Sequence, residues 1–373
     1  MEKSNINTKK KICWVTASWF LNVDIPIVPL LSKHFQIDWK IIFFLGDRGN
    51  YTVEDFYKQA DVGLCRVEII QLTGSGSSPS AFVYYCKLLK QIQHDYDIAY
   101  INTDGHPYFF PLALLYRVKE KLVYACHDVI QHVGVQSLRR YYNDFILKRF
   151  ENFQFFSKNQ FRLFANKYQC KKCFVAGLPL PDFGSSDMYP PESKVVFTFF
   201  GKIRANKGLE RLIKAGNLLS EDKDCQNKFV IQIAGHHPDF DEVYGKDILD
   251  KSCYNLDIRR IPNAEIPDIM CSSHYLVLPY KDITQSGPLL IAYSYNLPVI
   301  GSALDGFREY IIDGYNGFLF DAGDSSALYH VMKNCICNRN RHEKIKDNLK
   351  TFVHSNLSNS TILEKYIEFF KGF

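Results

Sequence analysis

The sequence lacks any apolar stretch near the roughly 18 residues needed to cross a bilayer, so membrane contact is expected only at a surface. It lacks a signal core too: MEKSNINTKKK is charged and leads into a strand-like run. No Gly-x-Gly-x-x-Gly follows the first strand candidate, which counts against a Rossmann oxidoreductase. No zinc site completes itself. Cys170-Lys-Lys-Cys173 has ligand spacing, Cys335-Ile-Cys337 does not, and no histidine pair joins them. The 11 cysteines are odd in number and scattered through apolar runs such as those around Cys13, Cys65, Cys86, Cys126, Cys253 and Cys271. Reduced, buried thiols in a cytoplasmic protein are the expectation.

Disorder is excluded by composition, with 46% hydrophobic and 23% charged residues over 373 positions, enough for two domains with cores of their own. The net charge of +5 is uneven. Residues 1–190 hold 23 Lys/Arg against 17 Asp/Glu, and the remainder holds 22 against 23. A basic first half suits an anionic partner such as a phospholipid surface or a lipid-linked phosphate, or is a solvated surface with spare lysine. No nucleic-acid partner is expected.

Short apolar runs alternate with helical patterns, which predicts repeated β-α units and parallel sheets. Strands are expected at Lys11–Thr16, Trp39–Leu45, Arg66–Leu72, Ile98–Ile101, Lys121–Cys126, Asn152–Phe156 and Cys173–Ala176, with helices at Ser80–Gln93 and Phe110–Lys119. The proline- and glycine-rich stretch Leu178–Pro191 reads as a linker, giving domains 1–190 and 191–357. Strands resume at Val195–Phe200, Phe229–Ala234, Tyr275–Pro279 and Val299–Ile300, with helices near 208–221, 286–296, 325–337 and 341–355. A last helix, about 358–373, has apolar residues spaced to pack back on the first domain. Gly74–Pro79 reads as a flexible loop and Asp95-Tyr-Asp97 as a polar lead-in turn.

Two segments carry chemistry. In Phe199-Phe-Gly-Lys-Ile-Arg-Ala-Asn-Lys-Gly208 a strand ends, three cations follow (Lys202, Arg204, Lys207) and a helix opens. That is where a doubly wound sheet holds phosphates, unless the turn is merely basic and exposed. In Leu278-Pro-Tyr-Lys-Asp-Ile-Thr-Gln-Ser-Gly287 another strand ends before a helix. Thr284, Gln285, Ser286 and Gly287 offer polar groups at its positive end, or Thr284 or Ser286 is simply its N-cap.

Further on, the order Ile233-Ala-Gly235, Glu265-Ile-Pro267, Pro298-Val-Ile300, Gly306-x-x-Glu309 and Asp313-Gly-x-Asn-Gly317 completes a collinear set over about 194–325. The set resembles the C-terminal domain of retaining GT-B glycosyltransferases of family four, in a subgroup with Thr-Gln-Ser-Gly. The first half is similar more weakly, through Ile101-Asn-x-x-Gly-His-Pro107, His127-Asp-Val129 and Phe156-Ser157. The resemblance implies an α/β GT-B fold: two Rossmann-like, doubly wound parallel-sheet domains facing across a cleft, with the linker near 180–192 as hinge.

It further implies transfer of a sugar from a nucleotide-diphosphate donor to a saccharide or lipid-linked acceptor, with retention, without metal or other cofactor, in surface polysaccharide synthesis. Localisation would be cytoplasmic, extending to the inner face of the membrane. Lys202 and Lys207 would grip the diphosphate, with Arg204 adding a fork. Gly235 and the Arg260–Ile261 turn would line the base pocket, and Glu309 with Gly306 would belong to a turn flanking the donor pocket. His127 would contact the transferred sugar, with His106 and Asp128 nearby. The family's paired glutamates are absent: the matching positions hold Ile283 or Thr284 and Ile291 or Ala292, and Gln285 or Asp282 would have to serve the ribose. That loss keeps open a non-catalytic nucleotide-sugar or carbohydrate-binding protein of the same fold. Basic and aromatic residues at helical spacing in Leu138–Phe150 fit membrane contact, or a helix with its apolar face in the core.

Overall fold

The computed structural model describes residues 9–45, 52–73, 76–103, 107–129, 137–168, 171–283 and 286–373. The chain divides into two compact units, Met1–Pro179 with Asn359–Phe373, and Leu180–Ser358.

The first unit holds seven strands: β1 Lys11–Ala17, β2 Gln36–Leu45, β3 Arg66–Thr73, β4 Ile98–Asn102, β5 Leu122–Cys126, β6 Asn152–Phe155 and β7 Lys172–Val175. All pairings are parallel, in the order β3-β2-β1-β4-β5-β6-β7. The central strands are covered on both faces, which is why β4 and β5 are buried throughout and read as apolar runs, whereas the edge strand β3 alternates. Cys13 and Val15 point into one core with Leu88, Leu89 and Phe110. Ile12 and Trp14, one step out of phase, point into the other with Trp39 and Phe56. The terminal helix Asn359–Lys371 joins that second core through Ile362, Tyr366 and Phe370.

The second unit holds β8 Val195–Phe200, β9 Phe229–Ala234, β10 Tyr254–Asp257, β11 Tyr275–Leu278, β12 Val299–Ser302 and β13 Gly317–Phe320. These strands too are parallel, ordered β10-β9-β8-β11-β12-β13. In each sheet the chain builds outward on one side of its first strand and then crosses to the other. The reversal falls between β1 and β4 and between β8 and β11, where doubly wound sheets open a crevice at their carboxyl ends.

Four expectations change. The unit boundary falls at Pro179, and residues 180–190 group with the second unit. Tyr295 Oη donates to the Gly184 carbonyl (3.0 Å), Ser186 Oγ donates to Asp268 Oδ1 (2.5 Å), and Arg339 donates to the Glu192 carbonyl. The helix expected over Phe110–Lys119 runs only Phe109–Leu115, because Arg117 takes a positive φ of 55° and Val118 N–H closes the turn on the Ala113 carbonyl (3.1 Å). β10 and β13 form the two edges of the second sheet. Tyr254-Asn-Leu-Asp257 is half exposed and has no apolar run to announce it. The described cysteines are all free thiols; Cys170 lies outside the described residues. Asp95, expected in a lead-in turn, is instead the last residue of the helix Pro79–Asp95; Asp97 leads into β4, its Oδ2 accepting from the Lys11 backbone N–H (2.7 Å).

Candidate active site

In the second unit, β8 ends at Phe200 and the chain turns through Gly201, Lys202, Ile203 and Arg204 into a short 3-10 turn, Ala205–Lys207. Ile203 is buried and its N–H donates to the His236 carbonyl (3.2 Å), which pins the turn to the loop after β9. Lys202 and Arg204, on either side of that anchor, are exposed. Gly208 then begins the helix Leu209–Glu221 in the left-handed region, at φ 65°. A β-carbon there would lie 2.0 Å from the Pro279 carbonyl oxygen, so only glycine lets this helix start against the end of β11. Gly235 is constrained in the same way: its β-carbon would fall 2.0 Å from the Gly201 carbonyl oxygen.

The turns after β8 and β11 are tied together. Lys281 N–H donates to the Asn206 carbonyl (2.8 Å), and Asn206 Nδ2 donates to Asp282 Oδ1 (3.2 Å). Arg211 Nη1 donates to the carbonyls of Pro279 (3.2 Å) and Tyr280 (3.0 Å). The Lys207 ammonium lies 3.7 Å from the centroid of the buried Tyr280 ring. Ser286 caps the helix Gly287–Ser294, accepting from Leu289 N–H (3.3 Å). The N-cap alternative for Ser286 is therefore what the structure holds. A methyl group at Gly201 would sit 3.5 Å from the Pro288 ring. Phe307 packs on Tyr280 at 5.4 Å, and a β-carbon at Gly306 would lie 2.9 Å from Ile283 Cγ2, so the turn bearing Glu309 reaches the same place.

The electrostatics of this corner are one-sided. Lys202, Arg204 and Lys207 have no carboxylate within ion-pair distance among the described residues, whereas Lys281 pairs with Glu210 (2.8 Å). Burial, then the Arg204 charge, bring the Lys207 ammonium down from 10.5 to about 8, with Asp282 opposing. An incoming anion meets a desolvated cation, two exposed cations and the start of a helix with no side-chain cap at Gly208. Ile261 stands apart: it follows β10 at the sheet edge, beside Arg259, which Asp257 (2.7 Å) and Glu265 hold. Thr284, Gln285 and His106 lie outside the described residues.

In the first unit, His127 follows β5 and is half buried between two phenyl rings, Phe20 (4.0 Å, 6° between planes) and Phe156 (4.3 Å, 24°). Its Nε2 lies 2.8 Å from Asn102 Oδ1 at the end of β4. Burial drives its pKa down to about 3, so the ring is neutral at physiological pH. Asp128 is anchored through its backbone, whose carbonyl accepts from Asn143 Nδ2 (3.2 Å). No side-chain bond joins Asp128 to His127 among the described residues. Behind Asn102 stands Asp24, a fully buried carboxylate that the sequence reading passed over. Its signal was one charge inside the apolar run Trp19–Leu31.

Residues 194–338 match the family described as "Glycosyl transferases group 1". An uncharacterised glycosyltransferase of the archaeon Methanocaldococcus jannaschii is 25% identical over 182 residues, which span 48% of this chain and 46% of that protein. HepE of Anabaena, solved with UDP, superposes at a TM-score of 0.74 with 17% identity, over 98% of this chain and 100% of its own. WaaG, described as involved in lipopolysaccharide biosynthesis, superposes at 0.66 with 15% identity, over 96% and 98%. The fold is GT-B. In the second unit the family match begins just before β8 and contains every residue of the cationic corner.

Proposed function

We propose that this protein is a glycosyltransferase that takes a sugar from a nucleotide-diphosphate donor, with the cationic corner between β8 and β11 receiving the diphosphate. One observation carries the proposal. Three cations without a carboxylate partner among the described residues follow β8 at the switch point of a doubly wound sheet, where Asn206 ties their turn to the one after β11 and Lys207 lies over Tyr280. Breaking the bond between a sugar and a diphosphate leaves negative charge on the departing oxygen while the sugar becomes cation-like. Fixed positive groups at that oxygen lower the barrier; preorganised donors of this kind each contribute about 10²–10³ in rate.

Lys202 and Lys207 do the work that a divalent ion does elsewhere, which supports transfer without metal. Retention follows the family pattern: the acceptor oxygen bonds to the anomeric carbon on the face the phosphate leaves, and the acceptor's proton goes to a phosphate oxygen. His127, neutral and held flat, suits a contact to a sugar hydroxyl better than a role as general acid. UDP is the first base to test, since HepE was solved with it. Within the family pattern the acceptor is a saccharide or lipid-linked saccharide and the pathway makes surface polysaccharide. The apolar, basic helix Ser137–Arg149 is proposed to rest on the membrane face where such lipids reside, with Leu138 and Tyr141 outward at 78% and 74% exposure. No described helix is long and apolar enough to cross a membrane.

The missing glutamates at 283/284 and 291/292 favour a second reading, a binder of nucleotide sugar with no transfer. A thermal-shift screen of UDP-, GDP-, ADP- and dTDP-sugars followed by donor-cleavage assays separates the two. One donor is expected to raise the melting temperature and to be consumed. Stabilisation with no cleavage supports the binder, and no stabilisation by any donor refutes both.

A further inference from the structure

The group behind His127 is a buried relay that decides which of its ring nitrogens carries the proton. Asp24 sits on the short helix Leu21–Asp24, and one of its oxygens, Oδ2, takes three hydrogen bonds. They come from Trp14 Nε1 (3.0 Å), Thr16 Oγ (2.5 Å) and Asn102 Nδ2 (3.1 Å). Trp39 Nε1 in turn donates to Thr16 Oγ (2.8 Å). An indole nitrogen can only donate, so Thr16 receives from Trp39 and must donate onward to Asp24. No cation approaches Asp24 among the described residues.

The direction of every bond is then fixed. Asp24 Oδ2 accepts only, so Asn102 must turn its amino group toward it and its carbonyl oxygen toward His127. His127 Nε2, 2.8 Å from that oxygen, must carry the proton. Nδ1 is left with a bare lone pair and no partner among the described residues. Phe20 and Phe156 hold the ring plane from both sides.

We propose that Asp24, acting through Asn102, is a positioning residue that fixes His127 in its Nε2–H form, so that Nδ1 accepts a hydrogen bond from a hydroxyl of the transferred sugar and a sugar lacking that hydroxyl is rejected. The assignment to a sugar rests on the glycosyltransferase reading; the tautomer does not. A carboxylate with burial against it and no counter-ion is expensive to keep, and burial raises the Asp24 pKa to about 6 against the three donated bonds. Packing alone gives no reason to retain it. An acceptor-only contact also excludes carbonyl and carboxylate groups at that point. Losing one such bond in a site built for it lowers kcat/KM by about 10- to 100-fold.

The test is nitrogen-15 NMR of the full chain with labelled histidine, with His127 assigned by its loss in His127→Gln. At pH 7 the wild type should show a protonated Nε2 and a bare Nδ1. Asp24→Leu removes the acceptor, and Asn102→Leu cuts the relay while Trp14 and Thr16 still hold Asp24; either should give a mixture of tautomers. Asp24→Asn, whose amide oxygen can replace Oδ2, should restore the wild-type spectrum. With an accepted nucleotide sugar and its singly deoxygenated analogues, one position should cost wild type about 10- to 100-fold, and Asn102→Leu should erase that preference. A proton on Nδ1 in wild type overturns the relay, as does a single unchanged tautomer in both leucine variants. An intact tautomer result with no donor turned over condemns the glycosyltransferase reading instead.

Discussion

Lys207 combines three properties that rarely coincide on a structural lysine. It faces the Tyr280 ring at 3.7 Å, it has no carboxylate partner among the described residues, and burial lowers its pKa to about 8. A bound diphosphate would stabilise the ammonium, so binding takes up protons once the free group begins to lose them. Affinity for a UDP-sugar, whose diphosphate stays fully ionised across this range, should therefore be flat below about pH 7 and fall as pH rises through about 8, approaching tenfold per unit beyond it. Titration calorimetry across pH 6–9.5 checks this, and Lys207→Arg should abolish the fall, since guanidinium stays charged. The place of Lys207 in the fold was legible in sequence because it is local: strand end, cations and helix start lie within ten positions. Asp24, Thr16 and Asn102 were not, because they meet only once β1 pairs with β4 and the chain folds back at Leu21–Asp24.

At the scale of elements, the strands that the sequence did not announce are the two edges of the second sheet, β10 and β13, although the first sheet's edges, β3 and β7, were readable. β1 and β8 are buried almost throughout because they lie inside their sheets, and they read as mainly apolar runs, while β10 pairs on one side only and needs no such run. The short helices failed for a related reason: Asp305–Arg308 is too brief for a period to emerge, yet it brings Phe307 to Tyr280. The helix Ser137–Arg149 does place an apolar face in the core. Asn143, Ile146 and Leu147 face the core while Leu138 and Tyr141 face outward. Replacing both outward residues by glutamate should cut binding to vesicles of anionic phospholipid about tenfold and leave UDP binding unchanged. Sedimentation with such vesicles measures it, and equal binding by the double variant would remove this helix from any membrane role.

For the whole molecule, the terminal helix is the part whose packing partner lies furthest away in sequence. Lys10 Nζ donates to the carbonyls of Phe370 (3.2 Å) and Lys371 (3.1 Å), and Trp14, Tyr100 and Phe174 surround the Phe370 ring. Phe370→Ala should cost about 3–5 kcal/mol in the first unit and spare the second, which calorimetry would show as one transition lowered and one kept. Two sheets, each with its reversal point and its own polar corner, place the cations in one unit and the fixed histidine in the other. The account as a whole stands on the diphosphate corner. Its most direct test is single-turnover cleavage of an accepted nucleotide sugar by wild type and by Lys207→Ala at pH 7, with circular dichroism to confirm folding. A folded variant slowed about a hundredfold or more is the predicted result; a folded variant cleaving donor at the wild-type rate would contradict it.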